Sequence, residues 1–310
     1  MFDGVRFQRG GRLVLDVPEL SFASGRVTAL LGPNGSGKST MLRLVAGLER
    51  PGTGRVTLDD RLASTDRATR MSIGYAFQDA VFLGGTLRSN LDLALRLRGL
   101  NAAARKERIG EAAEACGIAH LLDRDARRLS GGEAQRANLA RTLSLRAPVT
   151  LLDEPFAGLD APGRAQMLEE LPGLLRRFTA TTIVVTHDRD EALRLADDLV
   201  VLLGGQVRAH GPKRDVFRAP PDAEVAAFLG YAVFTSDSGI VAVAPGALSA
   251  GPGEVCFEMC INTVVDLGSH FEASGRVQGA RVSVPLAAQG PVAGETLSVS
   301  APASAVIRFG

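Results

Sequence analysis

A glycine-rich segment near the start of the chain carries the residue types that bind phosphate. It consists of Gly32, Pro33, Asn34, Gly35, Ser36, Gly37, Lys38, Ser39 and Thr40. Glycines let backbone N–H groups approach an anion, and the helix expected to follow adds the partial positive charge of its N-terminus. Lys38, one of only three lysines in the chain, can bind the outer phosphates of a nucleotide, and the Ser39 hydroxyl can bind Mg²⁺. The spacing is that of a P-loop and favours a phosphate site over a simple glycine-rich turn.

Two acidic residues end a second apolar run. Residues 149–152 are apolar or small and are followed by Asp153 and Glu154. Asp153 is predicted to complete the Mg²⁺ site with Ser39. Glu154 is placed one residue further on, where it can orient or deprotonate an attacking water molecule. Acidic strand ends are common without such a role, so this interpretation depends on the phosphate loop.

A third segment combines a helix start with two glycines. Ser130, Gly131, Gly132 and Glu133 open a helix that should extend to about Leu145. Ser130 and Glu133 have the spacing of a capping box, which requires no ligand. The glycines also leave the Ser130 hydroxyl and the first helix amides uncovered, and such groups can form a second anion site. The residues alone leave both interpretations open.

These residues lie within an alternation of strands and helices. Alternating apolar positions predict antiparallel strands before the apolar run Val27–Leu31. Further strands are predicted near 73–77, 149–153, 182–186 and 199–203, with a helix over 39–48. Short apolar strands separated by helices indicate an α/β fold with a largely parallel sheet covered on both faces.

Two regions depart from this alternation. Residues of about 80–135 are rich in Ala, Leu, Arg and Glu, which predicts a helical insertion. A last helix over 223–228 follows Pro220 and Pro221 and ends at Gly230. Beyond it, short alternating patterns broken by Gly, Pro and Ser predict a small all-β domain. We therefore predict two domains, 1–230 and 231–310.

Composition narrows the possible functions. The chain has 310 residues and a net charge of +1, which fits two domains and gives no sign of a nucleic-acid partner. Its three cysteines, Cys116, Cys256 and Cys260, have no metal-site spacing and are predicted to be reduced thiols in a cytosolic protein. No signal peptide and no apolar run of about 20 residues is present. Other chains would therefore have to cross a membrane at which this protein acts.

Together, the motifs resemble the cassette of ATP-binding-cassette (ABC) transporters over about residues 1–230. Residues 129–136 are similar to the signature motif of that family. The resemblance implies ATP and Mg²⁺ as cofactors. It also implies a Q-loop glutamine at Gln78 that senses Mg²⁺ and water, a D-loop at 157–160 ending in Asp160, and a switch histidine at His187. The implied catalytic residues are Glu154, His187 and Gln78, and the implied metal ligands are Ser39, Gln78 and Asp153.

The resemblance also implies an assembly. In the family the signature motif closes on the ATP held by a partner subunit, so Ser130, Gly131, Gly132 and Glu133 would act across a homodimer with Asp160. Residues 79–90 would lie beneath separate transmembrane permease subunits. An extracytoplasmic solute-binding protein would belong to the same system. These expectations place the chain on the cytoplasmic face of the cell membrane.

The tail resembles the TOBE-type accessory domain of importer ATPases, a small oligonucleotide-binding-like (OB-like) β fold. Residues 239–245 and 264–270 carry this resemblance. Ala244 and Gly246 flank Pro245, where such domains commonly have Arg and Glu. A tail that binds no ligand and only stabilises the dimer is an equally open interpretation.

The β tail favours an importer over an exporter. ABC ATPases that act on nucleic acid usually carry a long coiled-coil insertion or a second cassette, and neither is present. Residues 83–87 and 156–160, with the signature segment, most resemble molybdate, tungstate or related oxyanion importers. Importers of polyamine, iron and sugar share the same architecture.

One position departs from the family pattern. ABC cassettes usually stack adenine on an aromatic residue in the turn after the first strand. Counting back from the P-loop leads to Arg9, whereas Phe7 lies two residues earlier. Arg9 can stack through its planar guanidinium group, so both residues are candidates.

Overall fold

The computed structural model describes residues 1–236, 239–287 and 290–309, and it divides into two compact units, Met1–Lys213 and Arg214–Gly310. Of the predicted tail domain, residues 237, 238, 288, 289 and 310 lie outside the described residues. In the described residues, no helix combines the length and apolar character that crossing a membrane requires.

A ten-stranded sheet organises the first unit. Its strands are β1 (Phe2–Arg9), β2 (Arg12–Leu20), β3 (Val27–Leu31), β4 (Thr53–Leu58), β5 (Arg61–Leu62), β6 (Ile73–Ala76), β7 (Val149–Asp153), β8 (Thr181–Thr186), β9 (Asp198–Leu203) and β10 (Gln206–Pro212). They lie in the order β5-β4-β1-β2-β10-β9-β3-β8-β7-β6. Strands β9, β3, β8, β7 and β6 are parallel, whereas β5, β4, β1 and β2 pair antiparallel. The predicted fold class, a largely parallel sheet with an antiparallel part, is confirmed.

Helices flank the sheet and form the predicted insertion. They are α1 (Lys38–Val45), α2 (Arg67–Ser72), α3 (Leu87–Leu97), α4 (Ala102–Ala115), α5 (Gly131–Leu143), α6 (Ala161–Phe178) and α7 (Arg189–Leu195), with short 3-10 helices at Ala119–Leu121 and Ala126–Arg128. Helices α3, α4 and α5 pack on one another through a core that includes Leu91, Ile109 and Leu139. This apolar core holds the signature segment in place at the start of α5.

Some elements differ from the sequence prediction. Helix α1 ends at Val45 instead of about 48, because Gly47 adopts a left-handed conformation (φ 64°) that stops the helix. A Cβ at Gly47 would lie 2.2 Å from the Ser64 carbonyl oxygen. The hairpin of β4 and β5, helix α2 and strand β10 were not predicted, because their short segments lack a clear apolar period.

The second unit contains α8 from Arg214 onward (Lys213–Arg218), α9 (Ala223–Phe228) and two antiparallel sheets. One sheet has the order β11 (Ala232–Ser236), β12 (Gly239–Val243), β18 (Val306–Phe309). The other has the order β13 (Ser249–Ala250), β17 (Thr296–Ala301), β14 (Val255–Asp266), β15 (Phe271–Val277), β16 (Ala280–Leu286). A 3-10 helix covers Ala303–Ala305. Both sheets contribute to one apolar core that contains Phe234, Val241, Met259 and Val299. The predicted small β domain is therefore present.

The two compact units meet at 213–214, whereas the sequence prediction places the start of the β tail after residue 230. Helix α9 packs against β11 and β12, and its residues Val225 and Ala226 are buried, as is Leu229 just after it. We expect a truncated chain that ends after Gly230 to be trimmed by protease toward residue 213, because α9 would lose that packing. Limited proteolysis with mass spectrometry measures the cleavage sites. Full protection of residues 214–230 would contradict this expectation.

Candidate functional site

The glycine-rich loop joins β3 to α1, and two of its glycines are required by close packing. Gly37 precedes α1 with φ 103°, and a Cβ there would lie 2.7 Å from Leu15 Cδ2. A Cβ at Gly32 would lie 2.3 Å from the Leu202 carbonyl oxygen. Neither position accepts a side chain without movement of its surroundings. The loop therefore keeps its backbone uncovered toward a ligand.

Lys38 lies folded back into the loop. Its buried Nζ donates hydrogen bonds to the carbonyl oxygens of Gly32 (2.8 Å) and Pro33 (3.0 Å). Burial lowers the pKa of the Lys38 ammonium, and the carboxylates of Glu154 and Asp153 oppose that shift. The buried Ser36 Oγ in the same loop has no hydrogen-bond partner, which is the kind of orphaned polar atom that a bound phosphate satisfies.

A cavity of about 440 Å³ opens over this loop. Its lining residues are Arg9, Val14, Asn34, Gly35, Gly37, Lys38, Ser39, Thr40, Gln78 and Glu154. The loop, the Q-loop glutamine and the strand-end glutamate, which are distant in sequence, thus border one space. Arg9 borders it and Phe7 does not, and the Arg9 guanidinium pairs with Glu49 at 2.5 Å.

Asp153 lies beside the loop at the end of β7 and is buried. The Ser39 hydroxyl donates to Asp153 Oδ1 (3.1 Å), and the Tyr75 hydroxyl donates to Oδ2 (3.1 Å). Burial raises the pKa of the Asp153 carboxyl, and these two hydrogen bonds oppose the shift. A hydroxyl and a carboxylate 3.1 Å apart supply the hard oxygen ligands that Mg²⁺ prefers.

Glu154 is held in a backbone conformation that few non-glycine residues adopt (φ 47°). Its N–H donates to the Val185 carbonyl oxygen at 3.0 Å, which ties the turn after β7 to β8. His187 Nδ1 lies 3.4 Å from Glu154 Oε1, and the histidine side chain is 58% exposed. The structure therefore brings two of the three predicted catalytic residues, Glu154 and His187, next to each other, and Glu154 and the third, Gln78, line the cavity.

The turn that carries His187 is stabilised by residues that the sequence prediction missed. Arg164 lies 2.5 Å from Asp188 Oδ2 and 2.7 Å from Glu191 Oε1. The Thr186 hydroxyl donates to the buried Glu191 carboxylate, and Asp188 caps α7. The position of His187 is thus held by an ion-pair network. A sequence signal existed in Glu191, an acid three residues after a helix cap.

The signature segment forms the capping box that its spacing predicts. The Ser130 N–H donates to Glu133 Oε2 (2.7 Å), and the Glu133 N–H donates to Ser130 Oγ (3.4 Å). These hydrogen bonds lower the pKa of the Glu133 carboxyl. A Cβ at Gly132 would find only Leu159 nearby, at 3.5 Å. The open face of the helix start is therefore preserved.

The predicted site residues fall into two groups in one chain. Ser130, Gly131, Gly132, Glu133 and Asp160 do not line the cavity over Lys38. Asp160 is exposed and caps α6 by accepting from the Gly163 N–H at 3.0 Å. A Cβ at Gly131 would lie 3.4 Å from the Gly158 carbonyl oxygen, so the signature start adjoins the D-loop segment.

Two buried side chains of α5 connect these groups. Gln135 Nε2 donates to the Pro155 carbonyl oxygen (2.9 Å), and Asn138 Nδ2 donates to the Phe77 carbonyl oxygen (2.9 Å). The helix that begins with the signature segment is therefore bonded to the chain just after Asp153 and just before Gln78.

Several known proteins are similar to this chain in sequence. A family model described as "ABC transporter" matches residues 15–157. An Fe(3+) ions import ATP-binding protein of Streptomyces coelicolor is 41% identical over 230 residues, which cover 74% of this chain and 66% of that protein. A sulfate/thiosulfate import ATP-binding protein of Mesostigma viride is 37% identical over 232 residues, which cover 74% and 67%. The chain thus spans about two thirds of the length of the curated relatives it matches.

A solved structure is similar as well. It is a dimeric ATP-binding cassette in a post-hydrolysis state, bound to ADP and phosphate. It is 27% identical with a TM-score of 0.61, and the match covers 68% of this chain and 97% of that one.

Proposed function

The chain belongs to the family of ABC transporter ATP-binding proteins, and from this premise we propose that it binds ATP and hydrolyses it to ADP and phosphate to drive import of a small solute. The observation that carries the proposal is the single cavity bordered by Lys38, Ser39, Gln78 and Glu154, with Asp153 bonded to Ser39. A phosphate-release assay with purified chain tests it. No ATP-dependent phosphate release under any Mg²⁺ concentration would refute it.

The residues of the cavity have separate roles in this proposal. The loop amides and Lys38 bind the β- and γ-phosphates, and Ser39, Asp153 and Gln78 would hold Mg²⁺. Bound Mg²⁺ would neutralise the phosphate charge that develops during hydrolysis. Glu154 orients the attacking water and accepts its proton. His187, in contact with Glu154, donates a hydrogen bond toward the γ-phosphate region.

We propose that two copies form the active unit. The signature residues and Asp160 do not line the cavity of their own chain, and a second copy arranged head-to-tail would supply them to it. Support comes from the similar cassette, whose solved structure is dimeric. In this arrangement Ser130 and the amides of Gly131 and Gly132 bind the γ-phosphate held by the partner's loop.

The proposed membrane partners are separate permease subunits, with a solute-binding protein on the far side and this chain on the cytoplasmic face. Three exposed apolar side chains support this. Val81 (69% exposed) and Leu83 (61% exposed) belong to the segment 79–90, and together with Leu97 (67% exposed) they line one groove. Exposed apolar side chains in one groove are typical of protein contact surfaces. Both relatives described above are named as import proteins.

For the cargo we propose an oxyanion of the molybdate or tungstate type. The sulfate/thiosulfate relative supports the oxyanion class, whereas the Fe(3+) relative supports the iron alternative. Polyamine, sugar, an exporter role and a non-transport role remain the other hypotheses. Uptake of labelled molybdate, sulfate and iron into cells with and without the gene distinguishes them. Loss of iron uptake alone would contradict the oxyanion proposal.

For the tail we propose a TOBE-like, OB-like domain over residues 231–310. Its two antiparallel sheets around one apolar core support this. Lys38, Ser39 and Asp153 form hydrogen bonds with residues of the first unit, which supports a tail that takes no part in hydrolysis.

Arg9 is the residue we expect to contact adenine. It borders the cavity, and its guanidinium lies 5.8 Å from the centre of the Phe7 ring. Arg9→Ala should weaken ATP binding about fivefold, since a guanidinium–ring contact contributes on the order of 1 kcal/mol. Phe7→Leu should change ATP affinity less. Calorimetric titration measures both, and a larger loss for the Phe7 variant would assign adenine to that ring.

A further inference from the structure

The outer face of one tail hairpin presents a second cavity, of about 420 Å³. Strands β15 and β16 pair so that Arg276 lies directly opposite Arg281, and Ser274 directly opposite Ser283. Because side chains alternate along a strand, these four residues share one face. Asn262 of β14 borders the same cavity. The cavity shares no residue with the one over Lys38.

The charges in this cavity are not balanced within the chain. Among the ion pairs of the described residues, none includes Arg276 or Arg281. Like charges directly opposite each other on a sheet repel. Ser274 and Ser283 share one hydrogen bond of 2.7 Å, in which one hydroxyl donates and the other keeps its proton available. The cavity therefore offers donors and positive charge, and none of its lining residues is acidic.

We propose that this cavity binds a small multivalent oxyanion of the sulfate or phosphate type. The two guanidinium groups present planar pairs of N–H donors that match the oxygens of such an anion. The free serine hydroxyl and the Asn262 amide add neutral donors. A bound anion turns the repulsion between the two arginines into attraction toward a shared ligand. This site lies in the tail and does not depend on the proposed ATPase activity.

Equilibrium dialysis of the full chain with labelled sulfate tests the site. Unlabelled phosphate serves as competitor, and potassium chloride holds the ionic strength constant because salt screens non-specific attraction. The double variant Arg276→Gln, Arg281→Gln should lose one bound sulfate per chain. The matched double variant Arg50→Gln, Arg61→Gln, which removes two exposed charges elsewhere, should keep it. Sulfate bound at the P-loop is common to both variants and cancels in the comparison.

Two results would overturn the proposal. One is equal sulfate binding by the unmodified chain and the Arg276/Arg281 variant. The other is an equal loss in both double variants, which would indicate attraction by net charge alone. Arg276→Lys, which keeps the charge and loses the paired donors, should bind several-fold more weakly. Circular dichroism checks that each variant is folded.

A separate observation concerns Tyr75 in β6. Its hydroxyl donates to Asp153 Oδ2 at 3.1 Å, on the side of the carboxylate that Ser39 does not use. Its ring stacks on Phe77 with 4.1 Å between centres and 17° between planes.

We infer that Tyr75 is a positioning residue for the metal ligand Asp153, an inference that rests on the proposed function. A buried carboxylate needs a donor for each oxygen. The stacked ring holds the phenol in one orientation, and the phenol holds Oδ2. The remaining oxygen, Oδ1, is thereby kept toward Ser39, the other predicted metal ligand.

The Mg²⁺ dependence of ADP binding tests this role. Calorimetry with Mg²⁺ and with EDTA measures the gain in ADP affinity that Mg²⁺ provides. Tyr75→Phe keeps the stacked ring, and we expect it to reduce this gain about tenfold, as a hydrogen bond to a charged group allows. ADP affinity in EDTA should not change. The other tyrosine supplies the control, because Tyr231→Phe removes a hydroxyl that donates to the Phe217 carbonyl oxygen in the tail.

An unchanged Mg²⁺ effect in Tyr75→Phe would overturn the inference, whereas no ADP binding by the unmodified chain would refute the proposed function instead.

Tyrosine fluorescence gives a second test of the hydrogen bond between Tyr75 and Asp153. The chain has no tryptophan and two tyrosines, so Tyr231→Phe leaves Tyr75 as its only tyrosine. A hydrogen bond to a carboxylate quenches phenol emission, so adding Asp153→Asn should raise the emission. Unchanged emission would contradict the hydrogen bond.

Discussion

Replacing Glu154 with glutamine is expected to reduce ATP turnover by about 10²–10⁴-fold, the usual contribution of a general base. Glutamine keeps the size of the side chain and cannot accept the proton of the attacking water. The left-handed turn at Glu154 is held by its own N–H bond to Val185, which the substitution leaves intact. Lys38, Ser39 and Asp153 are unchanged, so ATP should still bind.

Steady-state phosphate release and ATP titration measure the two effects, and size-exclusion chromatography with ATP and Mg²⁺ should show a trapped dimer. The matched control is Glu169→Gln, the same chemical change at an exposed position of α6. Turnover at the unmodified rate in Glu154→Gln would remove this residue from the mechanism. A loss of ATP binding would mean that Glu154 is needed to bind the nucleotide, which this mechanism does not require.

Two heterodimers that carry the same two substitutions are expected to differ in the number of working sites. Lys38→Ala disables the loop half of a site by removing its cation. Gly132→Asp disables the signature half, because a carboxylate there would face the γ-phosphate. Gly132 has room for the new side chain, since an added Cβ meets only Leu159, at 3.5 Å. The substitution should therefore act through charge and leave the fold intact.

If each site is shared, placing the two substitutions in opposite subunits puts both defects in one site and leaves the other intact. Placing both in one subunit damages each site once. The first heterodimer should occlude one ATP per dimer, and the second should occlude none. Differently tagged subunits, purified in sequence, allow bound nucleotide to be counted.

In a control pair of heterodimers, Gly110→Asp is used in place of Gly132→Asp. Gly110 is an open position of α4, where nothing lies within 4 Å of an added Cβ. With this control, both arrangements should keep one working site, because only Lys38→Ala then damages a site. The opposite pattern for Gly132, with one good site only when both changes share a subunit, would mean that loop and signature act within one chain. That result would refute the head-to-tail arrangement.

Local features of the sequence were sufficient to predict several elements. Strand β7 has the predicted bounds, Val149–Asp153, and α9 has the predicted bounds, Ala223–Phe228. The phosphate loop lies between β3 and α1, where its motif requires it. These predictions succeed because apolar period, capping residues and glycine positions act over a few residues. Each can therefore be recognised without knowledge of the partner strands.

Some elements and contacts were not predicted, because the local sequence gives only a weak signal for them or none. The β4–β5 hairpin is short, and its outer strand Arg61–Leu62 is exposed, so no apolar period marks it. Tyr75 carries its only polar atom at the ring tip within an otherwise apolar strand. Its hydrogen bond to Asp153 spans 78 residues of sequence, and no local pattern reports such a contact.

The local sequence was therefore enough to identify the chemical groups that this protein can use. They are a phosphate-binding loop, two acidic residues at the end of a strand, and a helix start with two glycines and a capping box. The tertiary structure decided which of these groups meet. Placing β3 beside β8, with β7 next in the sheet, brings Asp153 to Ser39 across 114 residues. It brings Glu154 to His187 and leaves Ser130 and Asp160 outside the cavity. The strand order depends on the total free energy of burial and of backbone pairing over the whole chain. It therefore cannot be read from any short segment.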